Sequence, residues 1–243
     1  MTDIGADAQA QVTRVLAVRH GETAWNVDNR IQGQLDVPLD ARGRWQAQQL
    51  AAALADEGIA AIVASDLGRT RATAAPVAQR CGLAVQTDAG LRERAFGVFQ
   101  GLTFTEIEQR WPDQSERWRK RDVEFGADGG ETLRAFYERS VAAATRLAAA
   151  HVGSTLLLVT HGGVLDCLYR AASRIALDAP RSWPIGNAGI NRLLYTPQGY
   201  SLVGWNDIHH LEGEPVLDEH GDGDLATTAG ATTAAATPAA GPR

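Results

Sequence analysis

Short apolar segments alternate with longer segments of helical periodicity through most of the 243-residue chain. Compact runs of β-branched or aliphatic residues predict strands at residues 12–18, 60–64, 83–87, 155–159, 190–195 and 200–205. The last two are expected to form a hairpin around residues 197–199. This alternation is typical of α/β proteins, and we expect a three-layer α/β/α sandwich with a mainly parallel central sheet.

The segments between the strands predict helices with recognisable ends. The clearest begins after Asp40, a good N-cap residue, and extends to Gly58, which can adopt the positive φ that follows a helix. Further helices are predicted at residues 68–80, 131–150 and 162–173. Residues 96–130 are less regular, contain several aromatic side chains and interrupt the alternation, so we predict that they form a small inserted lid.

The two ends of the chain differ in composition from the rest. Residues 213–243 contain almost nothing large and apolar to offset the entropy of ordering, which predicts a disordered tail, and residues 1–11 predict a shorter overhang of the same kind. A single domain at 12–212 remains. No secretion signal is recognisable, and no apolar run approaches the roughly 20 residues that span a bilayer. We therefore expect a cytoplasmic protein without a membrane partner.

The distribution of charge excludes one class of partner. Six carboxylates against Arg243 place −5 of the formal net charge of −6 after Leu211. The remaining chain is close to neutral, which indicates no binding of nucleic acid. The two cysteines lie far apart without C-x-x-C spacing, so they predict neither a disulfide framework nor a metal site. Nothing in the sequence indicates the oligomeric state.

Three predicted strands are followed directly by residues that can bind an anion. Arg19 and His20 follow the first strand, and Arg69 follows the second. His161 lies between a further strand and a helix. Taken singly, each arginine could also be a solvated surface charge, and each histidine could simply form a hydrogen bond with a backbone carbonyl. Because open α/β sheets bind ligands at the carboxyl ends of their strands, the joint pattern predicts one shared site.

The ordered motifs of residues 14–205 resemble the histidine phosphatases, a family that includes the cofactor-dependent phosphoglycerate mutases. The matching segments are RHGETAWN at 19–26, IQGQLDVPLDARG at 31–43, SDLGRTRATA at 65–74, LRERAFGVFQG at 91–101, GGET at 129–132, THGG at 160–163 and NAGINRL at 187–193. The RHG triplet alone is a weak signal. The whole set in this order is specific.

The resemblance implies a role for each site residue. His20 would be the covalent nucleophile, and Glu93 would handle the proton of the leaving group. Arg19, Arg69 and His161 would surround the phosphoryl group. Substrate contacts are assigned to Asn26, Thr23, Gln32, Gly33 and Gly162. Passage through a phosphohistidine would divide one difficult displacement into two easier steps.

In such a pocket the protein itself would stabilise the charge of the transferring group. Phosphoryl transfer spreads negative charge over three equatorial oxygens, which the guanidinium groups of two arginines can match. Clustered carboxylate ligands for a metal are missing from the motifs, so we predict neither a metal nor a cofactor. One alternative for Glu93 remains open: an ion pair with Arg92 or Arg94, which would favour the ionised carboxylate.

The residues after Glu93 bear on which molecule accepts the phosphoryl group. Mutases of the family carry a tyrosine and a lysine where this sequence has Phe96 and Phe104. The resemblance therefore favours the broad-specificity phosphatase branch, in which water attacks and the substrate is a small phosphorylated metabolite. A phosphoglycerate mutase and, further off, a non-catalytic phosphate-binding protein remain alternatives. The aromatic side chains of the lid are equally compatible with a purely structural core.

Overall fold

The structure is a computed structural model that describes residues 12–212, so the predicted overhang at 1–11 and tail at 213–243 lie outside the described residues. The strands are β1 (Thr13–Arg19), β2 (Ile59–Ala64), β3 (Val85–Thr87), β4 (Thr155–Thr160), β5 (Ile190–Thr196) and β6 (Gly199–Asp207). The α-helices of the described chain are α1 (Ala24–Val27), α2 (Ala41–Ala53), α3 (Gly68–Cys81), α4 (Phe104–Arg110), α5 (Pro112–Arg119), α6 (Leu133–Ala149) and α7 (Gly162–Ser173).

The six strands form one mainly parallel sheet in the order β3-β2-β4-β1-β5-β6. Strands β3, β2, β4 and β1 are parallel, and β5 and β6 continue the sheet as an antiparallel hairpin. Side chains of β1 alternate between the faces: Val15 and Ala17 pack with α6 and α7, and Leu16 and Val18 pack with α2 and α3. The predicted α/β/α sandwich is confirmed.

The helix after Asp40 begins as predicted and ends earlier than predicted. Asp40 accepts a hydrogen bond from Gly43 N–H at 2.7 Å as the N-cap. The helix ends at Ala53, because a turn at Leu54 buries that side chain between the sheet and α3. Gly58 has a positive φ of 63°, but it joins this turn to β2 instead of capping the helix.

The predicted lid, residues 96–130, contains α4 and α5 and has a small core of its own. Phe96, Phe99, Ile107, Trp118 and Phe125 are buried together there. The rings of Phe96 and Phe99 lie 5.7 Å and 5.5 Å from the ring of Trp118. Because these aromatic side chains pack on one another, they form the structural core of residues 96–130.

The sheet order brings the three predicted strand-to-helix junctions side by side, because β4 lies between β1 and β2. The backbone ladder continues one residue beyond the strands: His20 N–H donates to Thr160 O at 2.9 Å, and Ser65 N–H donates to Val159 O at 3.0 Å. The residues that follow β1, β2 and β4 therefore meet at one edge of the sheet.

Candidate active site

His20 is held at the end of β1 with one ring nitrogen committed to the backbone. Its side chain is almost fully buried, and Nδ1 lies 2.8 Å from the carbonyl oxygen of Gly21. Because a carbonyl only accepts, we assign the proton of the neutral ring to Nδ1 and a lone pair to Nε2. Burial and the positive charges of Arg69 and Arg19 lower the pKa of His20 well below 6.5. The ring is thus neutral with a free electron pair.

His161 is a second buried imidazole facing the first. Its ring centroid lies 5.3 Å from that of His20, with the planes at 61°. Neither ring nitrogen has a hydrogen-bond partner in the part of the chain that the structure describes. Burial, followed by the charge of Arg69, lowers the pKa of His161 well below 6.5. A buried polar group without a partner is costly, so this arrangement is typical of a ligand site.

Two fully buried arginines lie beside the histidines. Arg19 Nη1 donates to Ile185 O at 2.8 Å. Arg69 reaches from α3 to the loop after α1, where its two terminal nitrogens donate to Leu35 O and Gly33 O, each at 2.7 Å. Both guanidinium groups thus have fixed positions, and their charges are close enough to depress the pKa values of both imidazoles.

The amide of Asn26 has a fixed orientation. Its Oδ1 accepts hydrogen bonds from Thr23 N–H at 2.9 Å, from the Thr23 hydroxyl at 3.1 Å and from Asn187 Nδ2 at 3.4 Å. Nδ2 is buried and has no partner within residues 12–212. The amide therefore presents a donor, whereas the hydroxyl of Thr23 serves as the N-cap of α1 and orients Asn26.

Glu93 reaches the same site from the chain that precedes the lid. Its Oε1 accepts from Arg94 N–H at 2.7 Å, and its Oε2 accepts from Gly163 N–H at 3.0 Å. Gly163 is the second residue of α7 and lies two positions after His161. The half-buried carboxylate is therefore placed at the N-terminus of the helix that follows β4.

The side chains on either side of Glu93 have other acceptors. The guanidinium of Arg92 forms two hydrogen bonds with the carboxylate of Asp66, at 2.7 Å and 2.6 Å. That of Arg94 donates to the carbonyl oxygens of Phe125 at 2.7 Å and Glu131 at 3.1 Å. Both guanidinium groups thus have acceptors in addition to any contact with the Glu93 carboxylate.

Three further predicted residues line the loops around these side chains. Gly33 has a positive φ of 53°, and a methyl group there would overlap the side chain of Gln100. Gln32 precedes it and is buried. Gly162 begins α7, and a methyl group at this position would lie 3.5 Å from Arg19 Nε. Of the ten predicted site residues, Arg19 ends β1 and the other nine belong to loops or helix ends.

The chain also matches a known family of proteins. Residues 15–208 match the model of the histidine phosphatase superfamily (branch 1). The chain belongs to this superfamily.

Proteins with different names are similar to this chain. A probable phosphoglycerate mutase of Escherichia coli is 38% identical, and the match covers 85% of this chain and 98% of the relative. The structure of a mycobacterial glucosyl-3-phosphoglycerate phosphatase is 34% identical over 80% of this chain and 98% of its own, with a TM-score of 0.71. Bacillus stearothermophilus YhfR is 32% identical over 82% and 100% of the two chains, with a TM-score of 0.77.

Some residues that shape the candidate site were not predicted from the sequence. Asn187 donates to His20 O at 3.0 Å as well as to Asn26, although its motif at 187–193 had no assigned role. Thr73 accepts from Gly21 N–H at 2.9 Å and donates to Arg69 O at 2.8 Å. Both lie within the family motifs, which was the only available signal, because their contacts are distant in sequence.

The described residues contain neither a cluster of metal ligands nor a membrane-spanning helix. No group of three or more His, Cys, Asp or Glu side chains in this part of the chain is arranged to hold a metal ion. No helix within it is long and apolar enough to cross a membrane. Metal independence and a cytoplasmic location stay predictions.

Proposed function

We propose that the protein is a phosphomonoesterase that hydrolyses a small phosphorylated metabolite through a phosphohistidine on His20. The observation that carries this proposal is the pair of buried neutral imidazoles, His20 and His161, whose centroids lie 5.3 Å apart beside two buried guanidinium groups. One ring would supply an electron pair, and the other ring and the arginines would supply donors and positive charge for the phosphoryl oxygens.

In the first step, Nε2 of His20 would attack phosphorus while the bond from phosphorus to the ester oxygen breaks. Nδ1–H···O=C of Gly21 holds the ring so that its lone pair remains on Nε2. The leaving alkoxide would take a proton from Glu93. No proton has to leave His20 before the attack, because its lowered pKa keeps the ring neutral at physiological pH.

In the second step, water would attack the phosphohistidine and give its proton to Glu93. Backbone N–H groups of Arg94 and Gly163 donate to this carboxylate and hold it in place for both proton transfers. The P–N bond breaks, inorganic phosphate leaves, and His20 returns to its neutral state. Glu93 is protonated again for the next cycle.

Charge on the transferring group would be stabilised by donors that are already in place. Arg19 and Arg69 are fixed by backbone carbonyls, and the Nδ2 of Asn26 is fixed by the three donors to its Oδ1. Donors that need no rearrangement are the largest source of rate enhancement in many enzymes. The three groups and an N–H of His161 are enough for three equatorial oxygens.

Two observations favour water over a second substrate hydroxyl as the acceptor. Phe96 is buried in the aromatic core of the lid, and Phe104 packs 5.9 Å from Trp118, so neither position offers a polar contact to a phosphoglycerate. The similarity to a mycobacterial phosphatase also supports hydrolysis. The similarity to a probable phosphoglycerate mutase favours the second candidate, an isomerase.

The deciding experiment measures phosphate release from a panel of phosphomonoesters in the presence of EDTA. 3-Phosphoglycerate is tested alone and with 2,3-bisphosphoglycerate, while 2-phosphoglycerate is monitored. We expect phosphate release without isomerisation, and no loss of activity in EDTA. Isomerisation that depends on the bisphosphate would establish the mutase, and activity that requires an added metal would contradict the metal-free mechanism.

A further inference from the structure

One matching motif, GGET at 129–132, has no role in the mechanism above, yet its glutamate makes a strong ion pair. Arg139 Nε lies 2.7 Å from one carboxylate oxygen of Glu131, and Nη2 lies 2.8 Å from the other. Glu131 precedes α6, and Arg139 lies on that helix. We call these two residues the Glu131–Arg139 clamp.

The clamp holds the backbone on both sides of Glu93. Arg139 Nη1 donates to the carbonyl oxygens of Gly90 at 2.9 Å and Arg92 at 3.0 Å, and Nη2 donates to that of Glu93 itself at 3.3 Å. On the other side, Glu131 Oε2 accepts from Ala95 N–H at 2.8 Å, and Glu131 N–H donates to Ala95 O at 2.8 Å. Both backbone groups of Ala95 are thus paired with Glu131.

Residues 92–96 follow a short 3₁₀ turn and belong to none of the strands or helices. Contacts with other segments therefore set their position: Phe96 forms a β-bridge with Gly130, and the clamp supplies the largest group of side-chain hydrogen bonds. Burial acts to raise the pKa of Glu131, but hydrogen bonds from Arg139 and Ala95 N–H outweigh it and lower this pKa. The pair is ionised at neutral pH and can hold the segment permanently.

We propose that the Glu131–Arg139 clamp positions the carboxylate of Glu93 for proton transfer. This inference rests on the proposed function, in which Glu93 protonates the leaving group. The hydrogen bonds of the clamp act on Glu93 and the residues beside it, and the charge of Arg139, which also lowers the pKa of His161, is kept in Arg139→Lys. A displacement of about 1 Å in a reacting group can reduce a rate by roughly 10²-fold, and a fixed backbone prevents such a displacement.

The test compares substrates that differ in their need for a proton. The leaving group of glycerol 3-phosphate is a basic alkoxide that needs a proton, whereas the p-nitrophenolate of p-nitrophenyl phosphate leaves without one. We expect Arg139→Lys and Glu131→Gln each to lower the ratio of kcat/KM for the alkyl over the aryl substrate by about tenfold or more. Melting temperatures of all variants report any loss of stability. A purely structural role of the clamp would lower stability but leave the alkyl-to-aryl ratio of kcat/KM unchanged.

Arg134→Lys is the matched control, because Arg134 lies on the same helix and pairs with Glu124 at the surface, with 2.6 Å between nitrogen and oxygen. This control should keep the wild-type ratio. If Arg139→Lys does not fold, Glu131→Gln is the deciding variant. Its amide oxygen can still accept from Ala95 N–H, so it loses the ionic contact with Arg139 at a smaller cost to folding. An unchanged ratio in the clamp variants, or an equal change in the control, overturns the proposal.

The variant Glu93→Gln distinguishes a failure of the clamp proposal from a failure of the proposed function of Glu93. Glu93→Gln alone should lower the ratio by about 10²-fold, and Arg139→Lys should lower it no further in that background. A normal ratio in Glu93→Gln would overturn the assignment of Glu93 and the clamp with it. A low ratio in Glu93→Gln with a normal ratio in Arg139→Lys would overturn the clamp alone, as would additive effects in the double variant.

Discussion

Gly163 donates its backbone N–H to Oε2 of Glu93 at 3.0 Å and leaves no space for a side chain of its own. A methyl group on Gly163 would overlap Oε1 of Glu93 and lie 2.9 Å from the ring of Phe136. This glycine therefore ties the carboxylate to the N-terminus of α7. A methyl group on the neighbouring Gly162 would lie at an ordinary contact distance from Arg19.

Gly163→Ala is accordingly expected to displace Glu93 and to reduce kcat for alkyl phosphates by about 10²-fold. Gly162→Ala serves as the comparison and should cause a smaller loss, because its methyl group would lie 3.5 Å from Arg19 Nε. Steady-state kinetics with both variants, and their melting temperatures, provide the check. Equal activity of the two variants would contradict the geometry of the Glu93 contact.

His20→Ala should abolish phosphate release and acid-labile labelling by radioactive substrate together, with a fall in kcat of about 10³-fold or more. Both depend on the same Nε2–phosphorus bond. His151→Ala is a suitable control, since His151 Nδ1 contacts Leu147 O at the end of α6, away from His20. Labelling is measured after alkaline and acid quenching. A His20→Ala variant that still labels would place the phosphoryl group on another residue.

Acidification should destabilise the fold through the two buried histidines. The unfolded chain takes up a proton on each near pH 6.5, whereas the folded pKa values of His20 and His161 lie well below this value. The unfolding free energy should therefore fall as pH drops below about 6.5, by up to roughly 1.4 kcal/mol per pH unit for each histidine, until the folded pKa is reached.

Urea unfolding at pH 7.5, 6.5 and 5.5 measures this dependence. A His161→Gln variant should show a shallower fall in stability, and an unchanged slope would contradict the assignment of a buried neutral ring. The exposed His209 has the opposite sign, because its hydrogen bond with Asp207 raises its pKa. Its contribution is present below the unfolded pKa and is lost as pH rises through the folded pKa.

A buried ion-pair network connects the predicted lid, residues 96–130, to α7. Asp166 on α7 accepts from Arg170 Nε at 2.9 Å and from Arg121 Nη2 in the lid at 3.0 Å. Asp166→Asn leaves two buried cations without their shared carboxylate and should cost about 3 kcal/mol in unfolding free energy. Glu116→Gln, which breaks the exposed pair with Lys120, should leave the unfolding free energy nearly unchanged.

Denaturant unfolding of the two variants gives both numbers. Similar losses of unfolding free energy in Asp166→Asn and Glu116→Gln would show that the buried network is no more stabilising than the exposed ion pair. A loss in Asp166→Asn with normal kinetics on the remaining folded protein would limit the network to stability. A loss of activity beyond the loss of folded protein would show that attachment of the lid also matters for the site.

The sequence by itself predicted those features whose causes are local. The continuous apolar run of β1 supplies buried residues to both faces of the sheet, and the carboxylate of Asp40 caps the helix that directly follows it. The motifs after β1, β2 and β4 were enough to predict a shared site, because parallel strands place their carboxyl ends at one edge. The family was recognisable from the order of those motifs.

Only the tertiary structure decided features that depend on contacts distant in sequence. The end of α2 is set by burial of Leu54 between the sheet and α3, and the partners of Arg92 and Arg94 come from other segments. The clamp joins Arg139 to carbonyl groups more than 45 positions earlier in the chain. Periodicity and capping preferences describe neighbours along the chain, whereas these hydrogen bonds form only after the sheet and helices have packed.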